Sequence, residues 1–166
     1  MHPIWPRLGI VLSIACASDK PAETDQCGGE DSVSLQLGTG AGSEFYPLEP
    51  NDSVTLGVAP QGGFGVSIRA LTTGLNTDDY VDVLLKSEIG GAPTGEFLSE
   101  SVQLFCQDDG HGMLWGVVVG FDPDIFPDND SLLAIDGESA DLIVEITDGN
   151  GKTAAGDVSV IIAAGG

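Results

Sequence analysis

The stretch Ala140–Ala163, ADLIVEITDGNGKTAAGDVSVIIA, decides the fold of this chain. Leu142, Val144 and Ile146 alternate with Asp141, Ile143, Glu145 and Thr147, and Val158, Val160 and Ile162 alternate with Asp157, Ser159 and Ile161. Successive side chains of a strand point to opposite faces, so this period of two reads as two half-buried strands. Between them lies Asp148-Gly149-Asn150-Gly151, two adjacent Asx-Gly pairs in which glycine takes positive φ without steric cost. The stretch therefore predicts a β-hairpin, the closing pair of a β-sandwich.

Upstream the same pattern repeats. Val33, Leu35 and Leu37 form one alternating run before Gly38–Ser43, and Val54, Leu56 and Val58 form a second, ended by Pro60 and Gly62-Gly63. Val66, Ile68 and Ala70 make a third, followed by a turn-rich loop from Thr72 to Asp79. Val81, Val83 and Leu85 precede Gly90–Gly95, GGAPTG, and Val102, Leu104 and Cys106 come next. Met113–Phe121, MLWGVVVGF, is continuously apolar and reads as a central strand, and Leu132–Ile135 as a short one. Eight or nine strands between turns, with no helical period, predict an all-β sandwich or barrel over residues 32–166.

The first residues carry a different signal. Arg7 precedes the apolar run Leu8–Ala15, LGIVLSIA, and small residues follow around Cys16. An apolar run of about 7–15 residues after a positive charge is the pattern of a secretory signal and is too short to span a bilayer. Residues 1–15 are thus expected to be a signal peptide, and export follows. Two cleavage readings stay open: Ile14-Ala15-Cys16 resembles the end of a bacterial lipobox, which would lipidate Cys16, although Ser13 departs from the usual branched aliphatic. Ala15-Cys16-Ala17 also fits an ordinary small-x-small site. Residues 16–31 form a polar acidic linker, of which Ser18–Asp31, SDKPAETDQCGGED, has the composition of a flexible tether.

Charge narrows the partners. The 166 residues hold 26 Asp and Glu against 5 Lys and Arg, a formal charge of −21. Nucleic-acid binding is excluded as an expectation, because phosphate contacts need a patch of Lys and Arg. Anionic headgroups are repelled as well, so membrane attachment is expected only through a lipid anchor. The partner expected is an envelope or extracellular ligand whose identity the sequence leaves open. Such an acidic balance is also the habit of proteins from salty environments.

Cys27 and Cys106 remain after export, and an oxidising compartment favours pairing them in a disulfide over leaving two thiols, the alternative being a simply buried Cys106. Trp115 follows both cysteines, so the cysteine-tryptophan-cysteine order of antibody domains is absent.

The final hairpin, from Asp136-Gly137 through Leu142–Asp148 to Gly151-Lys152-Thr153-Ala154, resembles the last two strands of bacterial immunoglobulin-like and PKD-like modules. The resemblance covers roughly the last 30 residues and implies an immunoglobulin-like sandwich. The aromatic and Asp-Gly signature of PKD repeats is missing. Signal, cysteine, acidic tether and one sandwich together resemble the layout of bacterial surface lipoproteins.

Candidate chemistry is sparse. His111, in QDDGHG, is the sole imidazole outside the signal, so a zinc site on several histidines or a blue-copper site is excluded by ligand count. It would serve a serine as general base, oriented by Asp108 or Asp109, but no Gly-x-Ser-x-Gly elbow occurs; the plainer reading is an exposed turn histidine. The loop after the apolar strand, FDPDIFPDND, gathers Asp122, Asp124, Asp128, Asn129 and Asp130, and calcium takes about 6–8 oxygen ligands. Asp122, Asp124, Asp128 and Asp130 are the candidate calcium ligands, although the spacing is not that of an EF-hand. No other cofactor is expected. Phe64, among glycines, is either a core plug or a recognition aromatic.

The expectation is a non-catalytic binding or structural module of the cell envelope, lipid-anchored through Cys16. A calcium-stabilised adhesion module is one alternative. A hydrolase using acidic residues at one end of the sandwich is the other, and it would need a cleft with two facing carboxylates.

Overall fold

The computed structural model describes residues 27, 32–58 and 63–164, and Cys16, the signal and most of the linker lie outside them. Among the described residues eleven strands appear in chain order: β1 (Ser34–Thr39), β2 (Tyr46–Pro47), β3 (Ser53–Thr55), β4 (Gly57–Val58), β5 (Phe64–Thr73), β6 (Tyr80–Ile89), β7 (Ala92–Gln103), β8 (Phe105–Cys106), β9 (Gly112–Phe121), β10 (Ser139–Thr147) and β11 (Thr153–Ala163). One helical turn, α1 (Asn129–Leu133), interrupts them.

The strands form two sheets packed as a sandwich. One runs β2-β1-β5-β9-β8 with β4 beside β5, and the other runs β3-β11-β10-β6-β7. The closing hairpin forms in the register its alternation demands, with Leu142 opposite Val158 and Ala140 opposite Val160. Leu142, Val144, Ile146, Val160 and Ile162 are at most 1% exposed, and they face Val66, Ile68, Leu114 and Val119 of the other sheet across one core. Burying each such side chain contributes about 1.5–3 kcal/mol, which makes this interface the main source of stability.

Four local expectations change. Val54 and Val58 belong to different sheets: Val54 lies parallel to Ile162, whereas Val58 pairs with Phe64. The chain crosses over at Leu56, and a period of two continues through the crossing. The predicted loop Gly90–Gly95 is a two-residue turn, Gly90-Gly91, and β7 is already paired at Ala92. Leu132 and its neighbours are helical rather than extended, because Asp128 and Ser131 make a capping box at the start of α1. Finally, β9 is not central: β5 covers one side along its length, but β8 covers only Gly112 and Met113 on the other.

The two sheets join at both ends of β9. Its start pairs with β8, the continuation of β7 through the buried Leu104. Its end meets the beginning of β7, where Asp122 N–H donates to the Thr94 carbonyl at 2.7 Å. Ser87 Oγ donates to the Gly120 carbonyl at 3.0 Å and accepts from Thr94 Oγ1 at 3.1 Å. A Cβ on Gly95 would lie 2.1 Å from that Gly120 oxygen, so only glycine permits the contact.

Cys27 and Cys106 are joined by a disulfide, with Cα atoms 5.8 Å apart and a sequence separation of 79. It ties the segment preceding β1 to β8, beside the start of β9.

Candidate functional site

The side of the sandwich formed by β8 and β9 carries an aromatic and uncharged surface. Its geometry begins with a β-bulge. Ile68 pairs with Val117 and Ala70 with Leu114, so both Trp115 and Gly116 stand opposite Arg69. Gly116 takes φ +64°, the left-handed conformation that such an extra residue needs. The bulge places Trp115 over Arg69, whose guanidinium carbon lies 5.6 Å from the indole centroid. Phe105 completes the group at 5.3 Å between ring centroids, tilted by 33°.

Arg69 is buried, and its Nη1 donates to the carbonyls of Gly42 at 2.7 Å and Glu44 at 2.9 Å. The guanidinium therefore supports the indole from below while fastening the loop between β1 and β2. Trp115 remains 43% exposed and Phe105 41%. Rings left in water on a rigid support suit binding more than packing.

Acidic groups bracket this surface. Asp108 and Asp109 precede β9, and Asp122 and Asp124 follow it. His111 Nδ1 sits 3.0 Å from Asp109 Oδ1. The His111 backbone N–H, then the imidazole, hold the Asp109 carboxyl below its ordinary range.

Two of the calcium candidates make local hydrogen bonds. Asp122 Oδ1 accepts from the Asp124 N–H at 2.8 Å, and Asp128 Oδ1 accepts from the Ser131 N–H at 2.9 Å as the cap of α1. That Ser131 contact, backbone first, lowers the Asp128 pKa. Among the described residues no three His, Cys, Asp or Glu side chains gather into a group that could hold a metal ion. A depression of about 200 Å³ near α1 is lined by Leu56, Val58, Phe64, Leu132, Leu133 and other residues, none of them a carboxylate. Phe64 packs against the core there.

Sequence reasoning missed the Arg69–Trp115–Phe105 group. The available signal was Trp115-Gly116 within an otherwise continuous apolar run, since glycine inside a strand marks a bulge. Neither the protein-family models nor the curated proteins compared with this chain match it. Among the described residues no helix is long and apolar enough to cross a membrane.

Proposed function

We propose that the chain is a non-catalytic binding module of the cell envelope, exported, held to a membrane by lipid on Cys16, and engaging its ligand through the β8–β9 side. The observation that carries this reading is the exposed Trp115 held over the buried Arg69, with the exposed Phe105 ring beside it. Holding them on sheet strands lowers the ordering cost of binding. Export is supported by Arg7, the apolar Leu8–Ala15 and the small residues around Cys16, and the Cys27–Cys106 disulfide fits an oxidising compartment. A bacterial host fed a labelled fatty acid tests the anchor: label should enter the full chain and disappear with Cys16→Ser. Protein extracted from those membranes in detergent should then still bind washed cell-wall material. An unlabelled chain that also ignores the cell wall would overturn the reading.

A further inference from the structure

The edge of β9 offers a more specific mode of recognition. Among the described residues, no strand pairs with the side of β9 away from β5 between Leu114 and Val119, because the pairing with β8 stops at Met113 and the Thr94 contact begins only at Asp122. Unpaired strand edges invite pairing with other chains, and proteins ordinarily blunt them with charges, proline, bulges or short length. The other edges here follow that rule. β2 and β3 are two and three residues long, and β7 carries Pro93, Glu96 and Glu100 with irregular pairing at both Val81/Val83 and Ser87/Glu88. β9, GMLWGVVVGF, contains no charged residue and no proline, and the bulge at Trp115-Gly116 is its single guard.

We infer that this edge takes up an extended peptide segment of a partner protein, apolar in its middle and basic towards its ends, as an added strand beside β9. The inference rests on the binding-module reading and specifies its ligand class. Six residues of open edge span about 20 Å, enough for main-chain hydrogen bonds to supply affinity and flanking side chains to supply selectivity. Charge selects the occupant. Asp108 and Asp109 stand before the uncharged strand and Asp122 and Asp124 after it. A segment with Lys or Arg near both ends complements that pattern. A second copy of this chain would bring another −21 against it.

The test uses the full chain and a synthetic octapeptide, Lys-Val-Thr-Val-Thr-Val-Thr-Lys, with amide hydrogen exchange as the readout. The peptide should slow exchange at least tenfold at those amides of residues 114–119 that point away from β5. Methylating alternate peptide nitrogens leaves the charge intact and should abolish the protection, and Glu in place of both Lys should weaken it at least tenfold. Val118→Lys, which adds the missing guard on a half-buried outward position, should do the same while leaving the melting temperature within a few degrees. Equal binding of the methylated peptide, or no binding at all, overturns strand addition. If Trp115 and Phe105 still support cell-wall binding in that case, the broader reading stands alone. Protection of those outward amides without peptide, together with a dimer in sedimentation, would assign the edge to a second copy and overturn the peptide partner.

Discussion

Asp148, at the tip of the closing hairpin, accepts the backbone N–H of Asn76, 72 residues earlier, at 2.9 Å. Its other oxygen accepts from Asn150 at 3.0 Å and Lys152 at 2.9 Å. One buried carboxylate thus shapes the hairpin turn and fastens it to the loop after β5. Burial pushes its pKa up, but the N–H donors of Asn76, Lys152 and Asn150, with the Lys152 charge, outweigh that and hold it below the ordinary value.

Asp148→Asn should therefore cost about 1–2 kcal/mol, because an amide has one acceptor oxygen where three donors converge. Asp148→Ala should cost about 2 kcal/mol or more. Urea midpoints at neutral pH check both.

The pH dependence follows from the same lowered pKa. A carboxylate with a depressed folded pKa stabilises fully above the unfolded value of about 3.9, and loses that contribution as pH falls towards the folded value. Wild-type stability should drop below about pH 4. In Asp148→Asn the acid limb should be shallower, yet not flat, since Asp109 and Asp128 shift in the same direction. Urea denaturation between pH 2 and pH 7 measures the difference, and identical limbs would remove Asp148 from the account.

Reducing the Cys27–Cys106 disulfide should destabilise the protein by about 4 kcal/mol in the chain-entropy model, given the 79 residues it spans. Thiol labelling of the denatured, unreduced protein should leave both cysteines unmodified. Labelling of both would contradict the pairing.

Arg69→Ala should cost about 1.5–3 kcal/mol, because the Gly42 and Glu44 carbonyls lose a charged donor and Trp115 loses its support. Arg69→Lys restores the charge but not the planar stack. The lysine variant should recover part of the stability and little of the near-ultraviolet signal of Trp115. Faster proteolysis between residues 40 and 45 should accompany both.

Millimolar calcium added at high salt should leave the melting temperature unchanged, since Asp122 and Asp128 are already engaged by local N–H groups. A rise that survives 1 M salt, where the Debye length is about 3 Å, and that vanishes with Asp124→Asn and Asp128→Asn, would instead favour the calcium-stabilised alternative.

What the sequence made legible was set by short-range physics. Leu142, Val144 and Ile146 were readable as one face of a strand because alternation is a property of neighbours, and the Cys27–Cys106 pairing followed from count and compartment. The crossing of Leu56 between sheets left no trace, because Val54 and Val58 keep the same period in either sheet. Asp128 and Ser131 did carry a helix-start signal, overshadowed by the apolar Leu132-Leu133. The Asp148–Asn76 bond and the stacking of Trp115 on Arg69 depend on partners distant in sequence, which no local pattern encodes.

The most direct test of the binding role is retention of detergent-extracted protein on washed cell-wall material, comparing wild type with the Trp115→Ala/Phe105→Ala pair. Both rings are substantially exposed, so the double variant should keep its fold, checked by an unchanged disulfide and a cooperative melt. At least a tenfold loss of retention is the predicted result. Equal retention of the two proteins would contradict the assignment of the β8–β9 side as the binding surface.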